Sequence, residues 1–295
     1  MTFKDRLRLL KSKFFGTKTI LFSKKIEWET QLRDKIKCHD TFFYEFDQVD
    51  PNLFDIIIPL SLDSQKYLNK HKKYLIPHKA IVPSDFCIDL CNDKLKFYRF
   101  LIDNNFNEFA PSATGNHKFP YILKKNIGEF GIGTLIIKDE NDEKANNDKI
   151  NSVNYFTQEY IDGAEEYTAH IICVRNRIIY FKVLMFTFSE KCFVKGKHFE
   201  PVAVEVKDHN EYKEIFENIL LKMDYQGICC FNYKTSGGVL KIFEINPRFG
   251  GSLTRVIDEG IFHYMEGLRN SREETDGSTV QEGLTCWSRI ALLSD

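Results

Sequence analysis

The chain has 295 residues, 43% hydrophobic and 28% charged, enough for a substantial core divided over more than one lobe. Its net charge of −1 excludes a global field drawing it to nucleic acid, and no apolar run approaches the roughly 20 residues of a membrane span. Eight scattered cysteines, with no CxxC pair and no Cys/His ladder, argue against a zinc framework or a secreted disulfide scaffold; no signal-peptide pattern is present, and the expected location is cytoplasmic.

In chain order, Phe3, Leu7, Leu10 and Phe14 recur at helical spacing, surrounded by Lys4, Arg6, Arg8, Lys11 and Lys13 against a single acid, Asp5. Two readings stand: a helix capping the N-terminal lobe, and a helix touching an anionic surface at the inner face of the membrane. Residues 18–90 read as a small α/β unit, with strands at 19–22, 41–44 and 54–59 and helices at 28–37 and about 63–72. No GxGxxG marks a dinucleotide site there.

A new unit begins at Asp89, where Asn92 is expected to cap a helix carrying Leu95, Tyr98, Leu101 and Ile102 on one side. Strands follow at 121–125 and 135–138, joined by a glycine-rich turn. The acidic, Asn-rich stretch 139–151 reads as a surface loop. Further strands fall at 155–161, 167–174, 178–188 and 201–206, then a helix at about 210–223 and a hairpin at 227–234 and 238–245. A helix at about 253–268, a polar loop at 270–282 and a strand at 284–292 close the chain.

The hairpin carries the most chemistry. Along 239–246 a strict alternation puts Leu240, Ile242, Glu244 and Asn246 on one face, with Glu244 and Asn246 about 7 Å apart. An acid and an amide suit a hard ion such as Mg²⁺, which leaves most of its sites to phosphate and water. Asn232 on the partner strand offers a third oxygen, provided the turn around Ser236-Gly237-Gly238 has an odd number of loop residues. Pro247 ends the strand, and Arg248 follows with a planar fork suited to phosphate or carboxylate. A buried Glu–Arg pair closing a sheet is the plainer alternative. The turn Gly128-Glu129-Phe130-Gly131-Ile132-Gly133 lies between strands, which excludes a Walker P-loop, yet its backbone N–H groups could fold over phosphates above Lys124. The run Gln158-Glu159-Tyr160-Ile161-Asp162-Gly163 reads as a hinge whose backbone could pair with an adenine edge, or as an ordinary strand end.

Taken in order, Asn92–Lys96, Pro120–Lys124, the turn at 128–133, Gln158–Gly163 with Glu166-Tyr167-Thr168, and Glu244-Ile245-Asn246-Pro247-Arg248 resemble the ATP-grasp superfamily. The likeness is to its carboxylate–amine ligase branch, akin to carbamoyl-phosphate synthetase, and covers about 89–260. It implies an α/β fold in which two lobes clasp ATP, preceded by a small Rossmann-like domain. Residues 1–88 would be that domain and 89–295 the grasp, with a lid lobe at about 112–158 and a metal-binding lobe at about 159–295. The resemblance also implies site roles. Lys94 and Lys124 would contact phosphates, and the lid would use Gly128, Gly131 and Gly133. Glu159 with the backbone of Tyr160 and Ile161 would hold adenine, and Glu166 the ribose. Asn232, Glu244 and Asn246 would bind one or two Mg²⁺ or Mn²⁺ ions. Arg248 would act with Lys124 in catalysis, offsetting charge on the transferring phosphoryl.

The sequence departs from the family pattern in places. The lid lacks a serine often found there, Asn232 stands where many relatives carry Glu or Gln, and 139–153 is short. The activity implied is ADP-forming ligation of a small-molecule or glycan-linked carboxylate to an amine, an amino acid among the candidates. A phosphotransferase acting on a hydroxyl and a non-catalytic ATP-binding module are the alternatives. Lys182, Lys191, Lys195, Arg175 and Arg255 are candidate contacts for the substrate carboxylate.

Overall fold

The computed structural model describes residues 1–113, 117–128, 131–196 and 200–276, with 271–276 as backbone alone. The N-terminal unit comprises α1 (Phe3–Phe15), β1 (Thr19–Phe22), α2 (Ile26–Lys35), β2 (Asp40–Phe43), β3 (Ile56–Ile58) and α3 (Leu62–His71). Its strands form a parallel sheet in the order β2-β1-β3. The central strand is buried on both sides, as its unbroken apolar run requires. Ile20 and Phe22 join Trp28 and Leu32 of α2, whereas Leu21 joins Phe42, Ile57 and Leu9 of α1.

Helix α1 is held by a face other than its predicted apolar row. Leu9 enters the core, and Ser12 and Arg8 both donate to Asp40, the arginine at 2.9 Å. Phe3, Leu10 and Phe14 are left 77%, 64% and 84% exposed.

Helices α4 (Asp85–Asn92) and α5 (Lys94–Asp103) follow, so the expected division at 88 falls inside a helix. Asp93, and not Asn92, caps α5, its carboxylate accepting from the N–H groups of Leu95 and Lys96. Phe97 and Leu101 are the buried residues of α5, while Ile102 is exposed. The expected row is thus turned by one position.

The middle unit holds β4 (Tyr121–Lys125), β5 (Leu135–Ile137), α6 (Glu140–Ala145), α7 (Asn147–Ile150) and β6 (Tyr155–Glu159), with an antiparallel sheet ordered β5-β4-β6. The stretch expected as a loop is therefore two short helices. Asp139 starts the first by accepting from the N–H groups of Asn141 and Asp142.

The last unit is an antiparallel sheet ordered β11-β10-β7-β8-β9. Its strands are β7 (Glu165–Val174), β8 (Arg177–Thr187), β9 (Ala203–Lys207), β10 (Gly227–Ser236) and β11 (Val239–Asn246), with α8 (Lys213–Lys222) before the hairpin and α9 (Ile257–Asp276) after it. The helix expected from 253 begins instead with a 3-10 turn, Gly251–Arg255, and α9 runs on into the expected polar loop. The strand expected at 284–292 lies outside the described residues.

Alternation on β7 sets the two faces of this sheet. Tyr167, Ala169, Ile171 and Cys173 pack against Phe97 and Leu101 of α5 and Phe216 and Leu220 of α8. Glu166 and Thr168 point the other way, into a cleft, and Ile172 and Val174 continue that face beneath α9. The core there is shared across the chain: Ile20, Phe22, Ile56 and Ile58 pack with Phe249, Leu253, Ile257 and Tyr264. The Tyr264 hydroxyl accepts from the N–H of Ile81 at 2.8 Å and donates to the carbonyl of Ile57 at 3.1 Å.

Candidate active site

A cleft of about 740 Å³ opens between the middle sheet and the last one. The β10–β11 hairpin supplies its chemical floor by a route that strict alternation misses. Gly237 and Gly238, at φ +56° and +80°, make a two-residue turn that pairs Ser236 with Val239. A straight ladder from that even turn would set Asn232 opposite Phe243. A β-bulge between Asn232 and Tyr233 on one side and Ile242 and Glu244 on the other absorbs the extra residue, so Asn232 pairs with Glu244. The loop is thus even, and the bulge supplies the one-residue offset on which Asn232's place on this face depended. It also separates residues expected to share a face. Leu240 and Ile242 join Ile245 in the helix-side core, while Phe243, Glu244 and Asn246 line the cleft.

Two lysines converge on Glu244. Lys94 Nζ lies 3.4 Å from its carboxylate and donates to the carbonyl of Gly128 at 2.6 Å. Lys124, on β4, is buried and donates to Gln158 at 3.2 Å and to the carbonyl of bulge residue Phe243 at 3.1 Å. Burial pushes Lys124 down to about 8, against the pull of Glu244. Burial alone would raise Glu244, but Lys94, Lys124 and the amides of Asn232 and Asn246 bring it down to about 2. It is thus a fixed anion set among cations.

A second chain of contacts runs along β7. Thr168 donates to Asn232 Oδ1 at 2.9 Å, and Lys195 donates to Thr168 at 2.9 Å while lying 3.4 Å from Glu166. Burial raises the Glu166 carboxyl, with Lys195 and Lys234 opposing it. Asn232, placed as a link between Thr168 and Glu244, donates to the latter at 2.9 Å.

Of the residues to which the family likeness gives a nucleotide, metal or catalytic role, all but one line this cleft: Lys94, Lys124, Gly128, Gly131, Glu159, Tyr160, Ile161, Glu166, Asn232, Glu244, Asn246 and Arg248. Gly133 does not. It is a turn position at φ +81°, with its Cα hydrogen facing Lys125 and Tyr155. Gly131 closes against the far wall, where a Cβ would lie 2.7 Å from the carbonyl of Lys195. Residues 129–130 of the expected lid lie outside the described residues.

Of the five candidate carboxylate contacts, only Lys195 reaches the cleft. Lys182 pairs with Glu259 at 2.8 Å, Arg175 sits in the β7–β8 turn at φ +50°, Arg255 is exposed, and Lys191 lends its carbonyl to Tyr160. Sequence reasoning missed Lys234, which donates to the carbonyls of Ile161 and Gly163 at 3.1 and 2.8 Å and so fixes the hinge. Its alternation with Asn232 on β10 was the available signal. Neither Ser252 nor His170 was singled out from the sequence.

The donor set fits one hard divalent ion: a carboxylate kept ionised, with amide groups beside it and room for phosphate and water. Among the described residues no cluster of three or more His, Cys, Asp or Glu side chains is arranged for a metal.

The sequence model of the ATP-grasp domain matches residues 91–252, more than half of the chain, and the chain belongs to that family. Among solved structures it is similar in fold to D-alanine–D-alanine ligase from Bacillus anthracis complexed with ATP, at 13% identity and TM-score 0.59 over 88% of this chain and 99% of that one. Biotin carboxylase from Campylobacter jejuni gives 15% identity and TM-score 0.57 over 94% of this chain and 69% of that one. A D-cycloserine synthetase gives 9% and 0.61 over 86% and 99%. No curated protein matches the sequence.

Proposed function

We propose that the chain is an ADP-forming carboxylate–amine ligase. The observation that carries this reading is the convergence of Lys94, Lys124, Glu244, Asn246 and Arg248 at one end of a two-lobed cleft in an ATP-grasp domain. On this reading the segment 128–133 belongs to a lid, the segment 159–161 holds adenine and Glu166 the ribose. Residues 1–88 form a preceding domain that braces the grasp. The ligase and the synthetase of similar fold named above support the choice of reaction.

A substrate carboxylate oxygen attacks the γ-phosphorus of ATP, the bond to the bridging oxygen breaks, and ADP leaves. Lys124 and Arg248 offset charge on the transferring group and Lys94 keeps Glu244 ionised. Bound at Glu244 and Asn246, Mg²⁺ would neutralise phosphate charge. The acyl phosphate then accepts an amine at carbon, phosphate departs, and the amine loses a proton. Closure by the lid keeps water from the intermediate.

The test is release of ADP and phosphate with a panel of L- and D-amino acids, dipeptides and uronic acids. Free phosphate only when acid and amine are both present supports the ligase. ADP without free phosphate indicates a phosphotransferase, and nucleotide binding without turnover under any pairing indicates a binding module.

We further propose peripheral contact with an anionic bilayer, placing the enzyme at the inner membrane face with a membrane-linked glycan as one acceptor class. Among the described residues no helix is long and apolar enough to cross a membrane. The support is the outward row of Phe3, Leu7, Leu10 and Phe14 beside exposed Lys4, Arg6, Lys11 and Lys13. Co-sedimentation with phosphatidylglycerol vesicles should fall on Leu10→Glu with Phe14→Glu; unchanged binding would remove this part of the reading.

A further inference from the structure

His170 is wholly buried on β7, opposite Cys230 of β10. Its Nε2 lies 2.9 Å from Ser252 Oγ, and its Nδ1 has no partner among the described residues. Gly250 closes that edge. A Cβ there would stand 3.0 Å from His170 Cε1 and 3.5 Å from Nδ1. Burial, and then Lys195, press the imidazole down to about 3, so it is neutral and carries one N–H.

Which nitrogen holds that proton decides what Ser252 can offer. With the proton on Nδ1, a donor would be buried unpaired, and the Ser252 hydrogen would be committed to Nε2. With the proton on Nε2, only a lone pair is left without a partner, and the Ser252 O–H is released toward the cleft it lines. Orphaned buried N–H groups are the rarer and costlier of the two. The second tautomer therefore prevails.

We infer that His170 donates through Nε2 to Ser252 and thereby sets Ser252 as a hydrogen-bond donor that, with Arg248, forms a binding point for a substrate carboxylate. His170 is a positioning residue here, and Ser252 touches the substrate. Arg248 and a donating hydroxyl are complementary to an anion; an accepting hydroxyl would have suited an ammonium group. As the acid-binding point of the ligation reaction, the assignment rests on the reading above. Its test does not need turnover.

The tautomer is read directly from the ring ¹⁵N signals of uniformly ¹⁵N-labelled, full-length protein, with His170→Gln identifying the resonances. Protonated Nε2 and bare Nδ1 are expected; protonated Nδ1 overturns the inference. Sodium acetate and methylammonium chloride are then titrated at equal ionic strength while the His170 ring signals are followed. Acetate should shift them and methylammonium should not, and acetate should bind about 10-fold or more weakly to Ser252→Ala. A response to methylammonium alone, or to neither, overturns it. His170→Phe should weaken acetate, followed by calorimetry, as much as Ser252→Ala does. His170→Gln, which keeps a donor at that end, should restore it. Equal loss in both His170 variants would mean a purely structural role. If these results hold while no acid–amine pair releases phosphate, the ligase reading fails and the carboxylate point stands.

Discussion

Lys124 and Glu244 form the electrostatic centre of the cleft, and each predicts a pH effect of definite sign. Lys124 titrates near 8 when folded and higher when unfolded, so the unfolded chain binds more protons in between. Its contribution to stability therefore rises with pH above about 8. Loss of its charge over the same range should weaken a phosphate ligand. Calorimetric titration of Mg-ADP should show affinity falling through pH 8, and Lys124→Met should bind weakly with no inflection there. Glu244 carries the same sign over a lower pH range. Its contribution to stability is complete above the ordinary carboxylate pKa and is lost as pH falls toward about 2. Thermal melts of Glu244→Gln and wild type should therefore converge in acid. Glu244→Ala should lower Mg-dependent turnover at least about 100-fold while circular dichroism still shows a folded chain; wild-type-like turnover would remove the metal assignment. The site was largely legible at this scale, because Lys94, Lys124, Glu244, Asn246 and Arg248 sit in short ordered runs. Lys234 and His170 were not: the alternation of Lys234 with Asn232 marks its face but not its task, and a lone imidazole in an apolar strand carries no local pattern. Their roles come from carbonyls and hydroxyls far away in sequence.

The hairpin shows where pattern reading stops at the level of elements. A period of two is exact only along an unbroken ladder, and a bulge is invisible in composition. Phe243 reads as an ordinary strand residue, yet it is the one that carries Glu244 to the cleft side. Pairs on both sides of the bulge are consistent with a straight ladder once that residue is gone. Deleting Phe243 should therefore keep Asn232 opposite Glu244, seen as a cross-strand Hα contact by NMR, while removing the carbonyl that accepts from Lys124 and weakening Mg-ADP. Loss of the Asn232–Glu244 pair would show instead that the bulge is needed for register. The short helices at 140–150 were missed for a related reason. Their formers are polar, and only the cap at Asp139 marks their start.

Across the whole molecule, the N-terminal unit grips the segment that carries Arg248. Gln65 of α3 donates to the carbonyl of Pro247 at 2.7 Å, Thr254 donates to Gln31 of α2 at 2.8 Å, and Trp28 lies 5.7 Å from Phe249 between ring centres. Gly251 fits closely at that contact: a Cβ would come within 3.1 Å of the Trp28 ring, which would have to give by a few tenths of an ångström. Trp28→Ala should cost about 3 kcal/mol in urea denaturation, and should lower turnover more than a cavity of equal cost elsewhere. Order and type of most elements were readable from the sequence. This bracing was not, because it joins residues more than 180 positions apart.

The core shared by β1, β3 and α9 leaves no seam along which the first 80 or so residues could open separately. Calorimetry should accordingly record one unfolding transition. Amide exchange would show the same cooperativity from the other direction: an occupant of the cleft would slow exchange in β3, which it never touches, because that strand can be released only when the whole assembly gives way.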